Sequence, residues 1–432
     1  MTDTARRTSQ ADSSSYASFA KQQLATLLPE LLLSGQLIDR SGMAHLIGAF
    51  GREGMTQVAI EEWMAASPVY TGRMRAALGI DGDGVVDMFK CLQLDIGAPP
   101  QFMDFRYVVH DEYHGGFVLD HCGALMDVEP MGDDYVTAMC HDIEDPTFDA
   151  TAIATNRRAR IRPVHRPPRM PSDRHPHCEW TVTIEPDRDE LPLPEVTLPV
   201  LETAAADVVL SPIDGAASDG LVDYRGPLVE DLVFGDFAHT ALVRIAEEVA
   251  LQHHLLAIGF RLSVTRRAGA DVAREITGKQ LIGIAGMTSE RLRDALRLGD
   301  SAADLVTVLR AHPILGPRQY TGVVVEESGS GDGVRIRVPQ DSPAQRDGGW
   351  MDLLTPEFTA PLDAMVCGVD SRWAVAGARL SDGELVVDMA RGEPRKEAGE
   401  VAIVRFSSGS TFSFADRGRA VPLVPIPITP IG

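Results

Sequence analysis

The feature that most constrains this chain is that it repeats itself. Phe19, Ala20, Leu24, Leu27, Glu30, Leu31 and Leu33 recur 218 residues later as Phe237, Ala238, Leu242, Ile245, Glu248, Val249 and Leu251. In both places the apolar positions step by three and four, which is one face of an α-helix. Arg73, Arg75, Ala77 and Leu78 meet Arg291, Arg293, Ala295 and Leu296 at the same offset of 218. Arg52-Glu53 matches Arg274-Glu275 at 222, which reads as a small loop difference. Further on, Met126-Asp127 meets Met351-Asp352, and Ala138-Met139-Cys140 meets the run Ala364 to Cys367. A tandem duplication of this kind rebuilds a two-fold dimer inside one chain.

Each copy reads as helices followed by an antiparallel sheet, an α+β unit. In the first copy the patterns predict helices over 17–34, 41–66, 70–78 and 83–94, with strands at 104–114, 117–125, 134–140 and 178–185. In the second they predict helices near 235–259, 268–285, 288–297 and 301–311, with strands near 319–327, 333–338, 362–370 and 400–415. Residues 1–16 read as a disordered N-terminus, 17–185 as the first copy, 186–231 as an extended Pro-rich linker, 232–418 as a second, degenerate copy, and 419–432 as a Pro-rich extended tail.

The formal charge of −22 over 432 residues argues against nonspecific binding to nucleic acid or anionic lipid. No apolar leader is visible, and Leu24 to Ile38 is too short and too interrupted by polar residues to span a bilayer. Five cysteines do not suggest a disulfide framework, so a cytoplasmic protein with reduced thiols is expected.

Residues able to do chemistry are concentrated in the first copy. Cys91, Cys122, Cys140 and Cys178 lie there, with only Cys367 in the second; eight of the twelve histidines precede the linker. Such an imbalance is expected when one half keeps a site and the other becomes scaffold. Gly115-Gly116 reads as a hairpin turn that would place His110, Glu112, His114 and His121 on one sheet face. That face could hold a first-row metal or be an ordinary solvated surface. Met139 to Thr147 brings Cys140, His141 and Glu144 to one expected strand end. Cys140, His141 and Glu144 are the candidate catalytic residues, with a thiol nucleophile needing a base from elsewhere, such as His177 or His121. Cys122, Cys140, His177 and Cys178 are the candidate ligands of a zinc or iron ion, although each thiol alone also reads as inert core.

Between Arg157 and Cys178 stand Arg157, Arg158, Arg160, Arg162, Arg166, Arg169 and Arg174 against one acid, Asp173. Prolines hold this segment extended, and Arg166 and Arg169 are candidates for clamping a substrate carboxylate. The same arginines could instead neutralise acidic loops such as Asp142 to Asp149.

Helices before a sheet, a strand-end cysteine, a Pro/Arg loop and a last strand opened by Cys178-Glu179-Trp180 together resemble the L-2-amino-thiazoline-4-carboxylic acid hydrolase-like family. The resemblance covers roughly residues 40–185 and, more faintly, 265–415. It makes Cys140 the family's strand-end cysteine, with His141 where proline usually follows. It implies a small-molecule pocket and hydrolytic opening of a small carboxylated heterocycle. The expected function is therefore hydrolysis of a cyclic or amide C–N bond in a small anionic substrate. The alternatives are a noncatalytic metal- or ligand-binding scaffold, and an assembly subunit docking onto a protein partner through the second copy and the C-terminal tail.

Overall fold

The computed structural model describes residues 14–328 and 333–407. The expected C-terminal tail and all but the last few residues of the N-terminal segment lie outside them. The first copy runs α1 (Lys21–Leu78), α2 (Val85–Leu92), β1 (Met103–Val109), β2 (His114–Cys122), α3 (Gly123–Val128) and α4 (Asp133–Thr137). A π-helical turn, Ala138–Ile143, leads into α5 (Glu144–Ala152), followed by β3 (Ala159–His165) and β4 (Cys178–Ile184). The connection carries α6 (Leu198–Leu201) and α7 (Ala204–Asp207). The second copy runs α8 (His239–Ala268), α9 (Ala270–Ala295), α10 (Ala302–Ala311), α11 (Arg318–Thr321), β5 (Val324–Glu327), β6 (Gly333–Pro339) and α12 (Pro343–Arg346). It ends with α13 (Ala360–Val369), β7 (Trp373–Ser381), β8 (Glu384–Arg391) and α14 (Gly399–Ser407).

The two sheets are antiparallel and have one topology, β1-β2-β4-β3 and β5-β6-β8-β7. The α+β tandem unit is thus what the chain forms. The backbone repeats in detail as well. A 3-10 turn at Tyr16–Ser18 precedes α1, and another at Phe234–Asp236 precedes α8. Gly51 breaks α1 with φ 68° and ψ −177°, and Gly269 separates α8 from α9 with φ 88° and ψ 168°. Gly79 ends α1 in the left-handed region, and Arg297 follows α9 there too. All these pairs stand 218 apart, so no loop difference separates them. The match of Arg52-Glu53 to Arg274-Glu275 at 222 is therefore coincidental, and Arg52 corresponds to Ala270.

Contacts between the copies are reciprocal. Arg73 Nε donates to Glu248 Oε2 at 2.9 Å, and Arg291 Nε donates to Glu30 Oε2 at 2.7 Å. Each ion pair is the other with its copies exchanged, the signature of an isologous interface. Near the middle of that interface, Gly35 and its counterpart His253 face one another. His253 Nε2 donates to the Leu31 carbonyl at 2.8 Å, and a Cβ on Gly35 would fall 3.0 Å from that nitrogen and 2.4 Å from Ile96 Cγ2. One hydrophobic core joins both copies. Leu31 to Met43 is buried on every side, and most of Ala241 to Phe260 is too; a helix with no solvated face belongs at the centre of a large core.

Several expectations are corrected. The break expected between 34 and 41, and the one between 66 and 70, do not occur, because the buried helix continues through both. The segments read as strands at 134–140 and 362–370 are helical, and 400–407 is helix α14 rather than strand. Short apolar runs have no period long enough to separate the two states; in these runs packing selects the helix. Strands β3, β7 and β8 were not expected as strands. Gly115 and Gly116 are not a turn but part of β2, and the chain reverses over 110–113. Gly116 is needed because β4 passes so close that a Cβ would lie 2.5 Å from the Trp180 carbonyl oxygen. The connecting segment is tied to both copies rather than loosely extended. Thr197 Oγ1 donates to the Met64 carbonyl at 2.7 Å, and the Ala204 and Ala205 amides donate to Asp347, each at 2.9 Å. Tyr16, expected in a disordered segment, is buried, its hydroxyl donating to the Ala311 carbonyl at 3.2 Å.

Candidate functional site

A cavity of about 90 Å³ lies inside the first copy, between α1, the β1 and β2 strands and the turn leading into α5. By volume it holds several waters or one small ligand. Gln36, Asp39 and Arg40 reach it from the first half of α1, and Trp63 and Tyr70 from the second half. Asp95 enters after α2, and Glu144, Thr147 and Phe148 enter from α5. Met103, Phe105 and Leu119 of the sheet give it an apolar floor.

The ionisable groups of the lining, and Glu62 and Asp127 which stand behind it against Asp39 and Arg40, are incompletely hydrogen-bonded. Arg40 is 1% exposed, with Nε 3.4 Å from Asp127 Oδ2 and 3.7 Å from Asp39 Oδ2. Neither contact has hydrogen-bond geometry, and Arg40 Nε and Nη2 have no hydrogen-bond partner in the protein. Glu62 is fully buried beside Asp39, and burial together with that like charge pushes its carboxyl well above the usual range. Burial raises Glu144 to about 8 against the opposing pull of Arg166, and leaves its Oε2 without a hydrogen bond. Asp127 rises to about 6, again through burial. Asp95 also rises to about 6 by burial, checked by the Gly97 amide at 2.6 Å and the Tyr70 hydroxyl at 2.9 Å, both donating to Oδ1. A buried polar atom without a partner costs stability, so such a concentration marks where a ligand or ordered water completes the hydrogen bonding.

The second copy does not repeat the residues of this chamber. At the 218-residue offset, Asp39 and Arg40 become Ala257 and Ile258, Glu62 becomes Gln280, and Trp63 becomes Leu281. His254 stands where Gln36 does, with Nε2 donating to the Gly316 carbonyl at 2.8 Å and the Trp350 and Tyr320 rings packed beside it. Trp350 Nε1 donates to Gln280 Oε1 at 3.3 Å. Burial holds His254 down near 4, so it is neutral.

Of the residues expected from the sequence, Glu144 lines the chamber, and Cys122, Cys140 and Cys178 stand close enough to Glu144, and Cys140 and Cys178 to Cys122, to interact with them electrostatically. Cys140 is buried in the π-helical turn rather than at a strand end; π turns inserted into helices recur at functional sites, and the matching α13 is regular. His141 Nε2 donates to the Pro167 carbonyl at 2.7 Å and does not line the cavity. Cys122 caps α3, its sulfur accepting from the Leu125 amide at 3.4 Å, and Cys178 opens β4 opposite Leu119. Burial and the Glu144 carboxyl raise all three thiols, Cys122 to about 12 and Cys140 and Cys178 far above the ordinary value. Burial thus disfavours the thiolate form of each, which is the form a nucleophilic Cys140 would need. Arg166 is paired with Asp145, and Arg169 holds Glu129 through two bonds of 2.9 and 3.0 Å. Arg166 and Arg169 thus each pair with an acidic neighbour and do not line the cavity, whereas Arg40 does. The expected histidine face does not form, because His110 and Glu112 lie in the reversing loop while His114 is held by Asp111.

Among the described residues, the group of His, Cys and acidic side chains whose ligand atoms lie within 4.8 Å of one another is Asp120, His175 and His177. The set Cys122, Cys140, His177 and Cys178 does not meet that condition. Asp39, Arg40, Glu62 and Asp95 were not anticipated. A signal was available: a charged Asp39-Arg40 pair interrupts an otherwise apolar helix and is replaced by Ala-Ile one repeat later.

No helix among the described residues is long and apolar enough to cross a membrane. No family model matches the chain, and no curated protein or solved structure matches it.

Proposed function

We propose that the first copy is a small-molecule enzyme that hydrolyses a C–N bond in a small carboxylated substrate by general acid–base catalysis. The observation that supports this is the unsatisfied Arg40 guanidinium sharing one cavity with carboxyls of separated acidity. Two titrating groups held apart by their environments are the arrangement from which acid and base roles follow. Arg40 holds the substrate carboxylate. Asp95, ionised at pH 7, takes a proton from the attacking water as its oxygen bonds to carbon. Glu144, protonated at pH 7, gives its proton to the departing nitrogen as the C–N bond breaks. The second copy supplies scaffold, and the compartment that fits five unpaired thiols is the cytoplasm.

The test is a panel of small cyclic amides and thiazolines bearing a carboxylate, followed by release of the amine or thiol. Glu144→Gln lowers kcat by about 100-fold or more, Arg40→Gln raises KM, and Cys140→Ser leaves turnover near wild type. Binding of panel members without turnover would favour a ligand-binding scaffold. Turnover lost in Cys140→Ser but kept in Glu144→Gln would overturn the assignment.

A further inference from the structure

A second constellation lies away from the chamber, where the segment between β3 and β4 returns to β2. The His177 amide donates to the Leu119 carbonyl at 2.8 Å, which seats the end of this segment against the strand. Asp120 is the next residue of β2. His175 Nδ1 is hydrogen-bonded to Asp120 Oδ1, and the His175 and His177 rings have centroids 5.1 Å apart. His175 is exposed, but His177 is only 5% exposed and its Nδ1 has no hydrogen-bond partner. One ligand atom from each of the three side chains lies within 4.8 Å of the other two.

We propose that Asp120, His175 and His177 bind a first-row divalent cation, with zinc as the best match. Two imidazoles and one carboxylate supply the donors such an ion prefers, and leave a coordination position for water. Ligand atoms around tetrahedral zinc stand roughly 3.4 Å apart for bonds of about 2.0–2.1 Å, so side-chain rotation closes the site without backbone movement. His175 then offers the Nδ1 lone pair and carries its proton on Nε2. The neighbouring Arg169 does not oppose the ion as a free charge, since Glu129 holds its guanidinium.

The ion acts as a clasp. Residues 166–177 are fastened by Arg166 to Asp145, Arg169 to Glu129 and His141 to the Pro167 carbonyl, and their C-terminal end is held to β2 by the His177 amide and by His175 on Asp120. Coordination strengthens that last attachment to β2. This inference does not depend on the acid–base reading of the chamber.

The test titrates the full chain with Zn(II), and with Co(II) as a spectroscopic probe. One zinc is expected per chain, together with a visible Co(II) ligand-field spectrum free of thiolate charge transfer. Because His177 is buried and its replacement could unfold the chain, His175→Ala and Asp120→Asn carry the test, each weakening binding at least tenfold. His114→Ala, at a separate exposed histidine, leaves binding unchanged. Zinc should also slow amide hydrogen exchange over 166–177 in the wild type but not in His175→Ala. Absence of zinc binding, equal binding by His175→Ala, loss of binding in His114→Ala, or a thiolate-to-cobalt band would each overturn the proposal.

Discussion

A carboxyl group raised from 4.5 to about 8 is neutral when its unfolded counterpart is ionised, and that difference appears in stability. For Glu144 the folded state binds a proton that the unfolded state has lost between pH 4.5 and about 8. Its contribution to stability is complete below about 4.5 and declines as pH rises through that window. Replacing it with glutamine removes the decline. Glu144→Gln should flatten the fall in urea-unfolding free energy between pH 5 and 8, and be more stable than wild type at pH 8 by on the order of a few kcal/mol. Unchanged pH dependence would mean that Glu144 ionises normally. Of the residues the sequence singles out, Glu144 lines the cavity, while the thiols of Cys122, Cys140 and Cys178 are buried and Arg166 and Arg169 are ion-paired. Cysteine and arginine drew the reading because they are chemically conspicuous. Whether a thiol is ionised or a guanidinium already paired depends on neighbours distant in sequence, such as Glu129 for Arg169.

Among the elements, long periodic helices were legible and short apolar segments were not. Residues 302–311 form a helix within a residue of expectation, and β6 and β4 fall close to their expected bounds. The run Val136 to Cys140 and the run Leu362 to Val369 satisfy either state when read alone, and were assigned wrongly in both copies. The helix breaks were misplaced as well. Pro29 and Pro68 lie within α1, whereas the break occurs at Gly51, with a positive φ and extended ψ that essentially only glycine adopts. Gly269 has that conformation in the second copy. A Cβ at either glycine meets no atom within 4 Å, so substitution tests the backbone alone. Gly51→Ala and Gly269→Ala should each destabilise by about 1–3 kcal/mol in urea unfolding, and by similar amounts. A marked cost at only one of them would mean that the two breaks are not equivalent structural devices.

For the whole molecule, the repeat read from four blocks of sequence is the repeat that folds, down to matched helix ends and exchanged Arg–Glu pairs. The concentration of cysteines and histidines before the linker was legible in the sequence. The chamber's location was not, since it is built by a buried helix whose polar residues look like defects in an apolar stretch. The chain keeps incompletely hydrogen-bonded buried ionisable groups, Arg40, Glu62 and Glu144, around the chamber of one copy, where the other has Ile258, Gln280 and Leu281 at the positions matching Arg40, Glu62 and Trp63. Unsatisfied buried polar groups cost free energy, and the proposed site in the first copy accounts for their retention there. Infrared difference spectroscopy across pH tests this most directly, because protonated and ionised carboxyls absorb separately. Protonated carboxyl absorption should persist at pH 7 in the wild type, diminish in Glu144→Gln and in Glu62→Gln, and remain in Glu290→Gln of the second copy. Full ionisation of the wild-type carboxyls at pH 7, or a signal untouched by both first-copy substitutions, would contradict the account.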